Sequence, residues 1–481
     1  MSTNPLIIQG GMGAGVSSWE LARAVSSAGQ LGVVSGTALD QILARRLQDG
    51  DPGGHMRRAL ERFPFREMAA RIVALYYICG GKGENAPYAT LPMHELADAR
   101  ELLELCIAAN FVEVFLAREG HNAPVGINYL EKIQIPHLPS LYGAMLAGVD
   151  YVLMGAGVPL KIPGVLDGLA EHARVTYPFS VTGAKEGDEG TISFDPRDFI
   201  EGGCPPSLRR PRFLAIISSN TLALTMCKRA NGRVDGFVIE GHTAGGHNAP
   251  PRSKAALKEP GDLQYGERDR VDLEKIRELG LPFWLAGGYG SPEKLREARS
   301  QGAAGVQVGT AFAYCVESGL REDYKRAVLE KVAAGAVHVS SDALASPTRF
   351  PFKVVELEET MSQADVYAKR PRICDLGFLR EAYRAQDGTI GYRCAAEPVS
   401  LYVAKGGNAQ DAAKKKCLCN SLMSTIGHSQ KRKGGLIEQG LVTSGDDLSG
   451  IKRFFRPGAG LVYHAADVIA HLLCPTPMVP G

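Results

Sequence analysis

The sequence lacks the features that mark several classes of protein. No apolar run approaches the ~18 residues that a membrane-spanning helix needs, and residues 1–11 show no basic segment followed by an apolar leader. Positive and negative charges nearly cancel, with 54 Lys and Arg against 52 Asp and Glu, which argues against an extended nucleic-acid or membrane surface. We therefore expect a cytoplasmic protein with a small-molecule substrate and no nucleic-acid or membrane partner.

Cysteine is present, but without the spacing of a metal site. The ten cysteines lack the paired C-x-x-C motifs of a zinc ribbon. The tightest group is Cys417 and Cys419, with Cys374 and Cys394 upstream. Free thiols are the main interpretation for a cytosolic chain, with a structural metal or a disulfide as alternatives. We predict no metal site.

Eight short apolar runs alternate with helical patterns, as in a parallel sheet whose strands are buried on both faces. Ser17-x-x-Glu20 predicts a capping box, and Ser291 before Pro292 predicts a helix N-cap. Eight strands with intervening helices predict a (β/α)₈ barrel of the α/β class, although an open doubly wound sheet fits the alternation nearly as well. The predicted strands are residues 6–9, 31–35, 124–128, 150–154, 212–218, 235–239, 282–286 and 305–308.

Two connections are too long for simple crossovers, and the strand–helix alternation stops near residue 350. Residues 37–122 have a helical pattern, whereas residues 175–211 alternate in a way typical of a hairpin. We expect a catalytic barrel domain over residues 1–350 with these two insertions. Residues 351–481 are expected to form a mostly helical C-terminal extension.

Glycine is abundant, at 56 residues, and its clusters follow predicted strands one, six, seven and eight. In a barrel these loops share the face that carries active sites, where glycine lets the backbone approach a ligand. The turns at 287–288 and 309–310 occupy the position where barrels bind phosphate. The first cluster, 10–15, lacks the third glycine of a dinucleotide fingerprint, which disfavours a Rossmann fold.

Three side chains near these loops are candidates for chemistry. His247 follows the glycines at the end of strand six, and a histidine can act as general acid or base near neutral pH. His242 competes for that role. Asn128 is expected to end strand three, where an amide can donate to and accept from a planar heterocycle.

Several stretches, in this order, resemble the nitronate monooxygenase (2-nitropropane dioxygenase) family of FMN-dependent barrels. That family includes flavin enoyl-(acyl carrier protein) reductases and the enoyl reductases of polyketide and polyunsaturated fatty acid synthesis. The specific feature is the combination of motifs. The stretches are residues 5–13 (PLIIQGGMG), 126–128 (GIN), 244–247 (AGGH), 285–288 (LAGG), 305–310 (GVQVGT), 346–348 (SPT) and 350–352 (FPF).

The resemblance implies an FMN-binding TIM barrel in which His247 is the catalytic histidine. Two positions depart from the family's pattern, because Glu240 stands where glutamine is usual and Thr243 where glutamate is usual. This departure puts the usual substrate pocket in question. The cofactor contacts that the resemblance implies are Gly11, Met12, Gly13, Asn128, Glu240, Gly245, Gly246, Gly287, Gly288, Gln307, Val308, Gly309 and Thr310.

The expected function is an FMN-dependent oxidoreductase that oxidises a nitronate-like substrate with O₂. The alternative is an enoyl-(acyl carrier protein) reductase with NAD(P)H as reductant, because residues 392–394 and 417–420 resemble the tail of polyketide-type enoyl reductases. A homodimer and an acyl carrier protein are the candidate partners. An IMP-dehydrogenase-type barrel is disfavoured, because residues 240–268 contain no cysteine nucleophile; a non-enzymatic flavin- or nucleotide-binding subunit is a further alternative.

Overall fold

The computed structural model of this protein describes residues 4–184, 190–203, 206–252, 263–455 and 460–474. No helix among these residues is long and apolar enough to cross a membrane. The described strands are β1 (Ile7–Gln9), β2 (Gly32–Ser35), β3 (Val125–Leu130), β4 (Tyr151–Gly155), β5 (Val175–Phe179), β6 (Val181–Thr182), β7 (Gly190–Phe194), β8 (Arg212–Ile217), β9 (Gly236–Glu240), β10 (Phe283–Ala286), β11 (Gly305–Val308), β12 (Val339–Asp342), β13 (Phe352–Val355), β14 (Glu381–Arg384) and β15 (Ile390–Arg393).

Helices cover the outside of the strands and build much of the insertion between β2 and β3. The described α-helices are α1 (Trp19–Ser27), α2 (Leu39–Gln48), α3 (His55–Leu60), α4 (Arg66–Tyr76), α5 (Arg100–Arg118), α6 (His137–Leu146), α7 (Ile162–Ala170), α8 (Asn220–Arg229), α9 (Leu273–Arg277), α10 (Pro292–Ser300), α11 (Thr310–Ala313), α12 (Glu322–Ala334), α13 (Ala364–Lys369), α14 (Val399–Ala404), α15 (Leu418–Thr425) and α16 (Ala465–Leu472).

Eight of the strands form a closed parallel barrel. Their order is β1-β11-β10-β9-β8-β4-β3-β2, and a parallel bridge between Ile8 and Leu31 joins β2 back to β1. These are the eight strands predicted from the apolar runs, with ends shifted by at most two residues. Because this bridge closes the sheet, the fold is a TIM barrel and not the open doubly wound sheet that was the alternative.

Alternation along the strands separates an inner core from an outer one. Inward side chains such as Leu153, Val238 and Trp284 form a compact cluster inside the barrel, as layered barrel interiors require. Outward side chains such as Ile7 and Val152 join the larger core beneath the helices. Both faces of each strand are therefore apolar, which explains the near-continuous runs in the sequence.

The second insertion contains an antiparallel hairpin, in which β5 pairs with β7 from Val175 opposite Phe194 onward. The residues 185–189 within it lie outside the described residues. The short strand β6 pairs in parallel with β14. This insertion is therefore joined to the C-terminal extension, residues 351–481, called the tail below.

The tail was expected to be mostly helical, but it contains several β-strands as well. Strands β14 and β15 form a hairpin closed by a turn over residues 385–388, in which Gly388 N donates to Ala385 O at 3.0 Å and Gly388 has a φ of +82°, as glycine-containing hairpin loops do. Strand β13 pairs with β12, so the proposed domain boundary at 350 falls within a hairpin. The tail also closes over the barrel, since Gly445 N donates to Thr310 Oγ1 at 3.1 Å.

Candidate active site

A cavity of about 490 Å³ opens at the C-terminal face of the barrel. It is bounded by the loops that follow β1, β9, β10 and β11 and by segments of the tail. The fourteen residues predicted for catalysis and cofactor binding all line it. The structure thus brings them together, while the role of each in binding or catalysis stays a prediction.

The loop after β1 is organised by Ser17. Its hydroxyl donates to Gly10 O at 2.9 Å and accepts from Met12 N at 2.9 Å. The predicted capping box is wrong, because Ser18 is the N-cap of α1 and makes no side-chain cap bond. The Ser17 hydroxyl is used instead to hold the glycine loop in place.

Two glycines allow the backbone of this loop to lie against neighbouring strands. A Cβ on Gly11 would lie 2.4 Å from Asn128 Cβ, and one on Gly10 would lie 3.3 Å from Gln307 Cγ. Asn128 lies within β3 rather than at its end, because the strand continues to Leu130. Its side chain still reaches the cavity wall.

The turn after β10 contains two glycines at positive φ and leads into the N-terminus of α10. Gly287 and Gly288 have φ values of +90° and +74°, a region that favours glycine. Ser291 caps α10 by accepting from Lys294 N at 3.3 Å, which confirms the predicted N-cap. Helix N-termini with free N–H groups favour anions.

His247 lies on the cavity wall and is fixed from behind. Its Nε2 lies 2.7 Å from Ser346 Oγ, and its ring meets Phe352 edge-on at 4.9 Å between centroids. Burial lowers the pKa of His247 well below its ordinary value, and the charge of Lys132 lowers it further. The imidazole is therefore neutral at pH 7, as a general base requires.

The competing histidine has a different environment. His242 also lines the cavity, but its ring stacks on Tyr265 at 4.3 Å between centroids. Burial lowers its pKa, and so does Lys353. The His242 ring is thus held by stacking, whereas the His247 ring is held by a hydrogen bond with Ser346.

Sequence reasoning named Glu240 but missed Lys132, whose charge acts on it in the same buried environment. Burial raises the pKa of Glu240 to about 7, with the ammonium of Lys132 opposing the rise. Burial lowers the pKa of Lys132 to about 8, with Glu131 and Glu240 opposing the fall. The signal that could have found Lys132 is its position with Glu131 directly after β3, at the end of the strand that faces the cavity.

The wall residues fit a flavin by two observations. Gln307 Oε1 is buried and has no hydrogen-bond partner among the described residues, so it is free to accept from a ring N–H of a ligand. The loops around it present bare backbone at Gly11, Gly287 and Gly288. A planar ring with a phosphate tail matches this combination of acceptor and cradle.

Four of the tail's cysteines lie close together, and of these only Cys419 lines the cavity. Cys374, Cys394, Cys417 and Cys419 form one small buried cluster, and each is a free thiol. Within the described ranges, no group of three or more His, Cys, Asp or Glu side chains is arranged to hold a metal ion.

Residues 212–349 match the family model "Nitronate monooxygenase", which confirms the resemblance over that segment. The chain is 36% identical over 94 residues to the nitronate monooxygenase of Pseudomonas aeruginosa, covering 20% of this chain and 25% of that protein. It is 29% identical over 161 residues to that of Paraburkholderia phytofirmans, covering 33% and 42%. The matches therefore span between a quarter and about two-fifths of these two relatives.

Solved structures are similar at low identity. FabK from Thermotoga maritima aligns with a TM-score of 0.46 and 16% identity over 98% of this chain and 92% of that one. The enoyl reductase domain of MlnA from Bacillus amyloliquefaciens aligns with a TM-score of 0.47 and 12% identity over 98% and 94%. The barrel assignment rests on the strand order described above.

Proposed function

We propose that this chain, whose residues 212–349 match the nitronate monooxygenase family, is an FMN-dependent oxidoreductase that oxidises a nitronate-like substrate with O₂. The observation that carries the proposal is His247, a neutral imidazole fixed by Ser346 on the wall of a glycine-lined cavity. A neutral, positioned imidazole is suited to removing the acidic α-C–H proton of a nitroalkane, the step that generates the nitronate.

The residues that would hold FMN are those predicted from the sequence. The loop of Gly11, Met12 and Gly13, with Asn128 and Gln307, would contact the ring, and the turns at 287–288 and 309–310 would hold the phosphate. When bound, FMN supplies a ring that accepts and returns two electrons. The protein's contribution is to orient the substrate and to hold the exchanged proton at His247.

The second candidate is an NAD(P)H-dependent enoyl reductase acting on an acyl thioester, with an acyl carrier protein as partner. It is favoured by the apolar side chains that the tail contributes to the cavity wall. Such a wall suits an acyl chain. In that reaction His247 would deliver a proton to the substrate rather than remove one. The tail side chains are Phe378, Leu379, Leu422 and Leu441.

Anaerobic mixing of the FMN-loaded protein with propyl nitronate, NADH or NADPH separates the two candidates. The primary proposal expects the nitronate to bleach the flavin absorbance and O₂ to restore it. Bleaching by NADH or NADPH alone would select the enoyl reductase. A protein that takes up no FMN would contradict both.

The matched variants are His247→Ala and His338→Ala. With the neutral nitroalkane as substrate, we expect His247→Ala to retain FMN and to lose about 10²–10⁴-fold in turnover, the usual contribution of general acid–base catalysis. His338 is exposed on the surface, and its replacement should leave turnover unchanged. Equal turnover in both variants would remove His247 from the mechanism.

A further inference from the structure

A chain of polar groups leads from His247 to side chains that are not part of the described cavity lining. Ser346 Oγ lies 2.7 Å from His247 Nε2 and 2.8 Å from Thr348 Oγ1. Lys132 Nζ donates to Thr348 Oγ1 at 3.5 Å, the longest link. These contacts form one hydrogen-bonded chain that joins His247 to Lys132, which are more than a hundred positions apart in the sequence.

Lys132 is placed to serve this chain rather than the cavity itself. Its ammonium lies 4.2 Å from the centroid of the Phe350 ring. Phe350 and His247 are cavity-lining residues, whereas Lys132, Ser346 and Thr348 are not part of the described lining. The Phe350 ring therefore contacts the amine and also lines the cavity.

We propose that Thr348 and Ser346 form a proton relay between His247 and Lys132, with Lys132 as the proton reservoir. Lys132 is then a positioning residue, because it acts on the substrate only through His247. The inference rests on the proposed function, in which His247 exchanges a proton with the substrate. Both hydroxyls can donate and accept at once, as a relay requires.

The transfer balances without any other reactant. When protonated His247 returns to its neutral form, the Nε2–H bond breaks and an O–H bond forms on Ser346. The Ser346 proton passes to Thr348, and the Thr348 proton passes to the neutral amine of Lys132, which becomes an ammonium. The reverse sequence recharges His247 for a reaction that consumes a proton.

The charges around the relay suit proton exchange near neutral pH. Lys132 faces two carboxyl groups, Glu131 and Glu240, and the pKa of its amine is lowered by burial to about 8. His247 faces Lys132, and its own pKa is lowered by burial and by that charge. Glu131 is held by Tyr177, whose hydroxyl donates to it at 2.8 Å.

The test compares Lys132→Met, Lys132→Arg and Ser346→Ala with the surface control Lys228→Met. For wild type and control we expect turnover to change with an inflection near pH 8. In Lys132→Met we expect the inflection to vanish and kcat to fall about tenfold, less than the ~10²–10⁴ of a direct acid–base group. KM and flavin content should stay the same, and added methylamine should restore part of the rate.

Two variants distinguish loss of the proton relay from loss of the positive charge and from misfolding. Lys132→Arg keeps the positive charge but does not release a proton, so it should behave as Lys132→Met does; wild-type turnover in Lys132→Arg would overturn the proposal. Ser346→Ala removes one hydroxyl and should also lose the inflection, which keeps the test usable if Lys132→Met does not fold. An unchanged pH profile in folded, flavin-loaded Ser346→Ala would likewise overturn it.

A measurement without turnover separates this inference from the proposed function. In the flavin-free protein, the ¹⁵N NMR shifts of His247 should report the titration of Lys132 near pH 8, and Lys132→Met should abolish that inflection while Ser346→Ala weakens it. Wild-type shifts in both variants would overturn the relay. Failure of the proposed function would appear separately, as a wild-type protein that does not take up FMN.

Discussion

Replacement of Gly287 by alanine tests the proposal that the turn at 287–288 holds a phosphate. Gly287 has a φ of +90°, and a Cβ there would lie 2.8 Å from Thr243 Oγ1 and 3.2 Å from both Ala244 N and Gly241 O. The added methyl group therefore meets the loop after β9, two of its three contacts being backbone atoms. The loops that would hold the ligand must move apart to accept it.

Two costs can be separated by choosing a control glycine. A non-glycine residue at positive φ costs about 1–2 kcal/mol, and an overpacked methyl group costs about 1–3 kcal/mol. Gly280→Ala is the matched control, because Gly280 has a φ of +70° and nothing within 4 Å of its would-be Cβ. We expect Gly280→Ala to show the first cost alone and Gly287→Ala to show both, about 2–5 kcal/mol.

Urea unfolding of the flavin-free proteins measures these costs, and fluorescence titration with FMN measures binding. Gly287→Ala should weaken FMN binding by at least about tenfold, equivalent to about 1.4 kcal/mol, whereas Gly280→Ala should bind FMN as wild type does. If Gly287→Ala binds FMN with wild-type affinity, or if both variants lose equal stability, the cradle is assigned wrongly.

Three further predictions concern buried charges. Burial lowers the pKa of His94, but hydrogen bonds to Asp40 and Asp98 outweigh burial and raise the pKa to about 9. The raised pKa adds about 3 kcal/mol to the free energy of unfolding below pH ~6.5, and this stability is lost as the pH rises towards 9. In His94→Gln, the free energy of unfolding in urea should therefore change little between pH ~6.5 and 9. Burial raises the pKa of Glu240 to about 7. Glu240→Gln should therefore be more stable than wild type by up to about 3 kcal/mol at pH 8 and should differ little from wild type at pH 4. Thermal unfolding of both proteins at the two pH values measures this difference. Glu438 is buried and accepts from Arg370 and Arg432; Glu438→Gln should cost about 3–5 kcal/mol in chemical unfolding, whereas the exposed Glu356→Gln should change it by less than about 0.5 kcal/mol.

The eight barrel strands were predictable because each is buried on both faces. A strand such as β10 (Phe283–Ala286) must be apolar at every position, which makes it visible in the sequence without any knowledge of its neighbours. The loops at 287–288 and 309–310 were visible for a related reason, since bare backbone at a strand end requires glycine. The role of Ser17 could not be predicted from the sequence. A serine that caps a helix and a serine that holds a preceding loop have the same local sequence.

The sequence by itself determined the strand count, the face that carries the glycine loops and the histidine beside them, because these follow from local rules of burial and backbone freedom. Tertiary structure alone decided that the sheet closes and that Lys132 lies behind His247 through Ser346 and Thr348. It also decided that Glu240 and Lys132 share a buried environment. Long-range packing sets which polar groups meet and how much water they lose, and no spacing within the chain encodes either quantity.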